Sequence, residues 1–141
     1  MIVLDTNVIS EMMRPAPAAQ VSAWFSAQAA SSLFTTALTQ AEILYGIAIL
    51  PAGQRRDALA AAARPVFDHD FAGRVLSFDS AAAPIFSEIA AARRAAGQPI
   101  SQVDAQIAAI ARSRGASLAT RNTQDFADCG IVVIDPWSHR P

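Results

Sequence analysis

Short apolar runs alternate with longer amphipathic segments along most of the chain. The five runs are residues 2–4, 33–36, 75–78, 117–120 and 131–134. The segments between them carry apolar residues at helical spacing. Strands that alternate with helices in this way predict an α/β fold with a mainly parallel five-stranded sheet and helices on both faces. Residues 131–134 are all β-branched, which predicts a strand buried on both sides.

Three of the helical segments place their large apolar residues on one face, which we expect to pack against the sheet. These faces consist of Ile43, Leu44, Ile47 and Leu50, then Ile85, Phe86 and Ile89, and finally Val103, Ile107 and Ile110. Proline and glycine at 14–17, 51–53 and 97–99 indicate where helices end. Since no linker or repeat interrupts the pattern, residues 1–141 are expected to form a single domain.

The composition narrows the classes of protein that fit. Apolar residues make up 52% of the 141, which is enough for one domain with a core. A net charge of −1 argues against a protein that coats nucleic acid, but not against an enzyme that meets it through metal and a few arginines. All 11 basic residues are arginine, which excludes mechanisms that require a catalytic lysine.

The same sequence favours a cytoplasmic protein. Cys129 is the only cysteine and cannot form an internal disulfide. Asp5 and Glu11 interrupt the apolar start of the chain, which argues against a secretory signal. No stretch reaches the roughly 20 mainly apolar residues that span a bilayer, so we expect no membrane segment.

Three carboxylates fall where a parallel sheet gathers its ligands. Asp5 ends the first apolar run, and Glu42 and Asp104 lie near predicted helix starts. Each acid also fits a purely structural role. Asp5 would cap a helix, and Glu42 and Asp104 would be the acids of capping boxes opened by Thr39 and Ser101. The chain has only three glutamates, and acids set among apolar neighbours at one sheet edge predict a site for a divalent cation.

A polar cluster follows the fourth predicted strand. Thr120 and Asn122 offer neutral oxygens there, and Asp125 offers a further carboxylate. Arg121 would balance the acids or contact a phosphate. The alternative is an ordinary polar turn in which Asp125 caps a short helical turn.

Taken in order, these motifs resemble the PIN-domain ribonucleases. Within that family they are most similar to the VapC-type toxins of bacterial toxin–antitoxin pairs, particularly the subgroup that contains FitB. The motifs are residues 5–7 (DTN), 39–42 (TQAE), Asp104 within 101–109, 120–126 (TRNTQDF) and 134–137 (IDPW). The likeness covers essentially the whole chain and implies a three-layer α/β/α sandwich.

The resemblance also implies roles for individual residues. Asp5, Glu42 and Asp104 would be the metal ligands for Mg²⁺ or Mn²⁺. Thr6 and Thr120 would orient ligands, water or substrate, together with Arg121. Many family members carry an aspartate where this chain has Asn122, so either Asn122 or Asp125 takes the fourth position. We interpret Asp5 and Asp104 as direct ligands, and Glu42 as binding through water or orienting the nucleophile.

The activity implied by the resemblance is hydrolysis of RNA phosphodiester bonds by a toxin that forms a homodimer. A cognate antitoxin would cover the acidic site with a basic side chain and would supply the contacts to operator DNA. The candidate substrate contacts are Arg93, Arg94, Arg112, Arg114 and Arg121.

Two other classes deserve comparison. Phosphoaspartate phosphatases and receiver domains also place an aspartate after the first strand. Both normally need a lysine, and the phosphatases need a second acid where this chain has Asn7. A catalytically silent PIN-like binding or assembly module, whose acids only cap helices, remains the alternative to a nuclease.

Overall fold

The parallel sheet expected from the sequence is present in the computed structural model, which describes residues 1–140. Its strands are β1 (Ile2–Leu4), β2 (Leu33–Thr36), β3 (Val75–Leu76), β4 (Ser117–Ala119) and β5 (Val133–Ile134). All pairs are parallel, in the order β3-β2-β1-β4-β5. The chain leaves the central β1 for β2 on one side and returns to β4 on the other. The carboxyl ends of β1 and β4 therefore form the switch point where such sheets bind ligands.

Six α-helices surround the sheet: α1 (Thr6–Met12), α2 (Ala19–Ser26), α3 (Ala37–Ala48), α4 (Gln54–Pro65), α5 (Ala82–Ala95) and α6 (Gln102–Ser113). A π-helical turn, Val66–Asp70, continues α4. Short 3-10 turns lie at Ala30–Ser32, Thr123–Phe126 and Pro136–Ser138. None of the helices in the described part of the chain is long and apolar enough to cross a membrane.

The sheet separates two hydrophobic cores. Side chains alternate along a strand, so Val3 and Leu118 point into one core while Leu4 and Ala119 point into the other. Helices α5 and α6 cover the first core, and α1 to α4 cover the second. The predicted three-layer α/β/α sandwich is confirmed.

Helix α6 is the most deeply buried of the six. Ala105, Ala108 and Ala109 are fully buried beside Ile107 and Ile110, and such small side chains let α6 approach the sheet and α5 closely. This packing fixes the first turn of α6, and the acid it carries, at the edge of the sheet.

Two expectations about burial were wrong. The run 131–134 is not buried on both sides: only Val133 and Ile134 form β5, at the edge of the sheet, and the side chain of Val132 is 66% exposed. Leu44 does not face the sheet, because Ile43 and Ile47 occupy the inner face of α3 and Leu44 projects into solvent.

Candidate functional site

Asp5 lies at the switch point, immediately after β1. Its amide donates to the carbonyl of Ala119 at 2.9 Å, which continues the pairing of β1 with β4. The side chain caps α1: Oδ1 accepts from the Thr6 amide and Oδ2 accepts from the Thr120 hydroxyl, both at 2.8 Å. Burial raises the pKa of Asp5 to about 6, although both hydrogen bonds act to lower it. The negative charges of Asp104 and Glu42 raise it further.

Glu42 is held by a hydroxyl from a different helix. The Thr6 hydroxyl lies 2.8 Å from Oε1 of Glu42, to which it donates, and 3.2 Å from the hydroxyl of Thr39. The alternative in which Thr39 opens a capping box with Glu42 is wrong, because α3 begins one turn earlier. Thr36 caps the helix by accepting from the Thr39 amide at 3.1 Å. Glu42 therefore lies in the second turn of α3.

Asp104 occupies the first turn of α6, as expected. The Ser101 hydroxyl caps this helix by accepting from the Asp104 amide at 3.1 Å. Burial raises the pKa of Asp104, the Ser101 contact lowers it, the charges of Asp125 and Glu42 raise it, and the charge of Arg93 lowers it. The charges of Asp104 and Glu42 act on Asp5, and those of Asp125 and Glu42 act on Asp104, so the four acids belong to one acidic region at this edge of the sheet.

Asn7 ties the loop after β4 to α1. Its Nδ2 donates to the buried hydroxyl of Thr120 at 3.2 Å, and its Oδ1 accepts from the Arg121 amide at 3.1 Å. The Asn122 amide also donates to the Thr120 hydroxyl, at 3.1 Å. Asn7 was not among the predicted site residues. Its position directly after Asp5 and Thr6 is the feature of the sequence that could have indicated its role.

The fourth carboxylate is Asp125. Its side chain is exposed at the rim of the site, and its charge acts on Asp104. Asn122 is also exposed and contributes its backbone amide to the hydrogen bond with Thr120. At this rim Asp125 therefore offers a negative charge that the neutral Asn122 does not.

The candidate arginines differ widely in their surroundings. The guanidinium of Arg121 lies over the ring of Trp137, 5.1 Å from its centre, and Arg121 is exposed at the rim of the site. Arg112 pairs with Glu88 at 3.4 Å. Arg93 is buried and donates to backbone carbonyls, so the expectation that it contacts substrate was wrong. Arg94 and Arg114 are exposed.

The donor atoms suit a hard cation, but they do not enclose one. Carboxylate, hydroxyl and amide oxygens are the ligands that Mg²⁺ and Mn²⁺ prefer. Within residues 1–140, no three Asp, Glu, His or Cys side chains are close enough together to ligate one ion directly. Magnesium usually keeps several waters and binds through one or two carboxylates. The residues therefore fit a partly hydrated ion.

A groove of about 430 Å³ opens beside Glu42, between α1, α3 and α4. Thr6 and Glu42 line it together with Arg14, Arg55 and several aliphatic side chains. Arg14 also pairs with Glu11 at 3.2 Å. A larger cavity of about 640 Å³ lies among α1, α2 and the turn after α4, and none of the four carboxylates lines it.

Known proteins are similar to this chain over nearly its full length. The profile of the PIN domain family matches residues 2–131. Plasmid stability protein StbB of Pseudomonas syringae is 45% identical over 97% of this chain and 99% of its own. VapC ribonuclease Y4jK of Sinorhizobium fredii is 40% identical over 97% and 98%, and toxin FitB of Neisseria gonorrhoeae is 36% identical over 97% and 99%.

A solved structure agrees equally well with the fold. The structure of FitAB bound to an IR36 DNA fragment contains a chain that superposes with a TM-score of 0.91 and 35% identity, covering 100% of this chain and 99% of that one. The resemblance to VapC-type proteins of the FitB-like subgroup is confirmed. The chain belongs to the PIN-domain family.

Proposed function

We propose that this protein is a metal-dependent endoribonuclease and the toxin of a type II toxin–antitoxin pair. The observation that carries the proposal is the group of four neighbouring carboxylates at the switch point, one of them buried with a pKa of about 6. Such a group is unfavourable without a cation, and acids with raised pKa values at the ligand edge of a parallel sheet are typical of functional sites. Relatives of 40% and 36% identity are named a ribonuclease and a toxin.

Asp5 and Asp104 would hold Mg²⁺ or Mn²⁺ directly, Glu42 would bind it through water or orient the nucleophile, and Asp125 would add negative charge at the rim. When bound, the ion supplies a positive charge for the phosphate and lowers the pKa of a water to give a nucleophile. The side chains themselves provide orientation. The Thr120 hydroxyl fixes one oxygen of Asp5, and the Thr6 hydroxyl fixes one oxygen of Glu42. Each carboxylate thereby presents its remaining lone pairs in a set direction.

The groove beside Glu42 offers an approach for the RNA strand. Its aliphatic walls suit the faces of bases, and Arg14 and Arg55 provide positive charge for the backbone. On another side of the site, Arg121 would be a second contact to phosphate. Its cation–π contact with Trp137 limits the conformations that its side chain adopts. The acidic site repels RNA on its own, so these arginines and the ion must together offset that repulsion.

The antitoxin and the homodimer belong to the same proposal. An arginine or lysine from an antitoxin would pair with the four carboxylates and exclude the ion, which explains inhibition electrostatically. The FitAB structure includes a DNA fragment, and we assign operator contacts to the antitoxin. Exposed Tyr45 of α3 and exposed Ile49, which caps the end of that helix, support a homodimer.

The first experiment is cleavage of total bacterial RNA with Mn²⁺ or Mg²⁺, followed by sequencing of new 5′-phosphate ends. Asp104→Asn should abolish cleavage, since it removes a carboxylate from the metal site. Asp68→Asn, which changes an exposed acid in the turn after α4, is the matched control and should cleave normally. No difference between the wild type and Asp104→Asn would favour the silent binding module, and cleavage that persists in EDTA would contradict the metal dependence.

A further inference from the structure

Arg93, in the last turn of α5, is a buried cation outside the proposed metal site. Its residue exposure is only 7%, although a buried charge is costly unless its hydrogen bonds are satisfied. Among the ion pairs within residues 1–140, Arg93 takes part in none. Something other than a carboxylate must therefore hold the guanidinium in place.

Backbone carbonyls do so. The Nε of Arg93 donates to the carbonyl of Gln98 at 2.7 Å, just beyond the end of α5. Its Nη1 donates to the carbonyls of Asp125 and Ala127, at 2.9 and 3.0 Å, and lies 3.8 Å from Sγ of Cys129. One side chain thus joins the end of α5 to the segment that follows β4.

That segment has little regular structure of its own. It consists of the 3-10 turn Thr123–Phe126 and an irregular stretch in which Asp128 adopts a positive φ of 59°. The ring of Phe126 and the thiol of Cys129 are buried, but the side chain of Asp125 is exposed. Arg93 donates to the backbone carbonyls of Asp125 and Ala127. It thereby fixes the backbone that carries the Asp125 carboxylate.

We propose that Arg93 is a positioning residue that fixes Asp125 beside Asp104 and so completes the acidic site around the ion. The role of Asp125 at a metal site rests on the proposed function. The contacts that Arg93 makes with the backbone do not depend on it. Arginine suits this task because its planar fork reaches several acceptors in fixed directions, whereas lysine offers one compact group. The inference separates Arg93 from the substrate arginines.

The test is Mn²⁺ affinity, measured by electron paramagnetic resonance of the free ion, for wild type, Arg93→Met, Asp125→Asn and the double variant. Loss of a residue that orients a ligand typically weakens metal binding about tenfold or more, and we expect about tenfold for Arg93→Met. The double variant should bind no more weakly than Asp125→Asn alone. Arg93→Lys should lie between Arg93→Met and wild type.

The control is Arg64→Met, which removes an exposed arginine from the last turn of α4 and should leave affinity unchanged. An equal loss from Arg93→Met in the presence and absence of Asp125 would overturn the inference, because the effect of Arg93 would then not pass through Asp125. Unchanged affinity in Arg93→Met would overturn it as well.

Hydrogen exchange without metal separates this inference from the proposed function. Amides in residues 124–129 should exchange about tenfold faster in Arg93→Met than in wild type and by an intermediate factor in Arg93→Lys, while α6 stays protected. If wild type binds no Mn²⁺, the proposed function fails, and exchange still decides whether Arg93 positions the segment. Unchanged exchange there would refute the positioning role directly.

Discussion

Asp5 serves two purposes that oppose each other energetically. As the cap of α1 it accepts from the Thr6 amide, and as part of the acidic site it accepts from Thr120 while staying 5% exposed. The hydrogen bonds favour the carboxylate, but burial disfavours it more, so the pKa is raised to about 6. Ionised Asp5 therefore costs the metal-free protein stability, which a bound cation would restore.

The first prediction is that metal-free protein loses stability as the pH rises from about 4 to 6. The unfolded chain releases the Asp5 proton near its ordinary pKa of 3.8, whereas the folded protein holds it until about 6. The native state binds more protons in this window, so the free energy of unfolding falls and then levels above pH 6. A shift of about two units corresponds to a loss of about 3 kcal/mol. Asp104, whose pKa is also raised, acts in the same direction.

Urea unfolding in EDTA at several pH values measures this loss, and Asp5→Asn tests its source. The variant should be less pH-dependent and more stable than wild type at pH 7, by about 1 kcal/mol. The gain is smaller than the electrostatic relief, because Nδ2 of the new asparagine would face a Thr120 hydroxyl that already accepts from Asn7 and Asn122. A less stable Asp5→Asn at pH 7 would contradict this account.

Most of the candidate site could be predicted from the sequence. An acid among apolar neighbours is costly to bury, so its presence there indicates a special role. Asp5 and Asp104 lie where the pattern placed them, and Glu42 lies one turn deeper in its helix. Arg93 escaped the same reasoning. Its partners are backbone carbonyls up to 34 positions away, and no periodicity in the sequence encodes a contact of that kind.

At the level of elements, the start of α3 determines how Thr6 and Glu42 meet. Thr36 and Thr39 are both plausible caps, and the capping-box pattern favours the second. The helix begins at Ala37 instead, because β2 continues through Thr36 and its extended conformation suits a cap. Thr39 is thereby left inside α3, where its hydroxyl lies beside that of Thr6.

The second prediction follows from this cap. Thr36→Ala should lower the free energy of unfolding by about 1 kcal/mol, because the Thr39 amide loses its acceptor in a buried setting. Thr36→Ser keeps the hydroxyl and should lose much less. Urea unfolding measures both, and equal losses would mean that packing of the methyl group matters rather than capping.

Strand positions were predictable where pairing and burial coincide. The bounds of β1 and β2 match the apolar runs at 2–4 and 33–36. The runs at 75–78, 117–120 and 131–134 give shorter strands, because a strand ends where its neighbour stops pairing. Composition shows where strands lie but does not show the register that sets their length.

For the whole molecule, the surface of α3 is notable because it is apolar without a partner. Tyr45 and Ile49 are 67% and 64% exposed, and large apolar groups grouped on a surface are typical of an interface. They lie outside the groove beside Glu42, which is lined by Ile43, Gly46 and Ile47 of the same helix.

The third prediction is that this surface forms the proposed homodimer. Tyr45→Glu together with Ile49→Glu should convert a dimer into a monomer in light scattering after size-exclusion chromatography, because charge would be buried in the contact. Ala60→Glu, on the exposed side of α4, is the control and should remain dimeric. A dimer that survives the double change uses another surface.

The central position of β1 also has a consequence for biosynthesis. The hydroxyl that holds Asp5 belongs to Thr120, which is synthesised 115 positions later. At translation rates of 5–20 residues per second, about 6 to 23 s separate the synthesis of the two residues. A ribosome-bound fragment that ends before β4 cannot assemble the acidic centre. A cell that makes this protein therefore meets its full chemistry only after β4 and the turn that follows it have been translated.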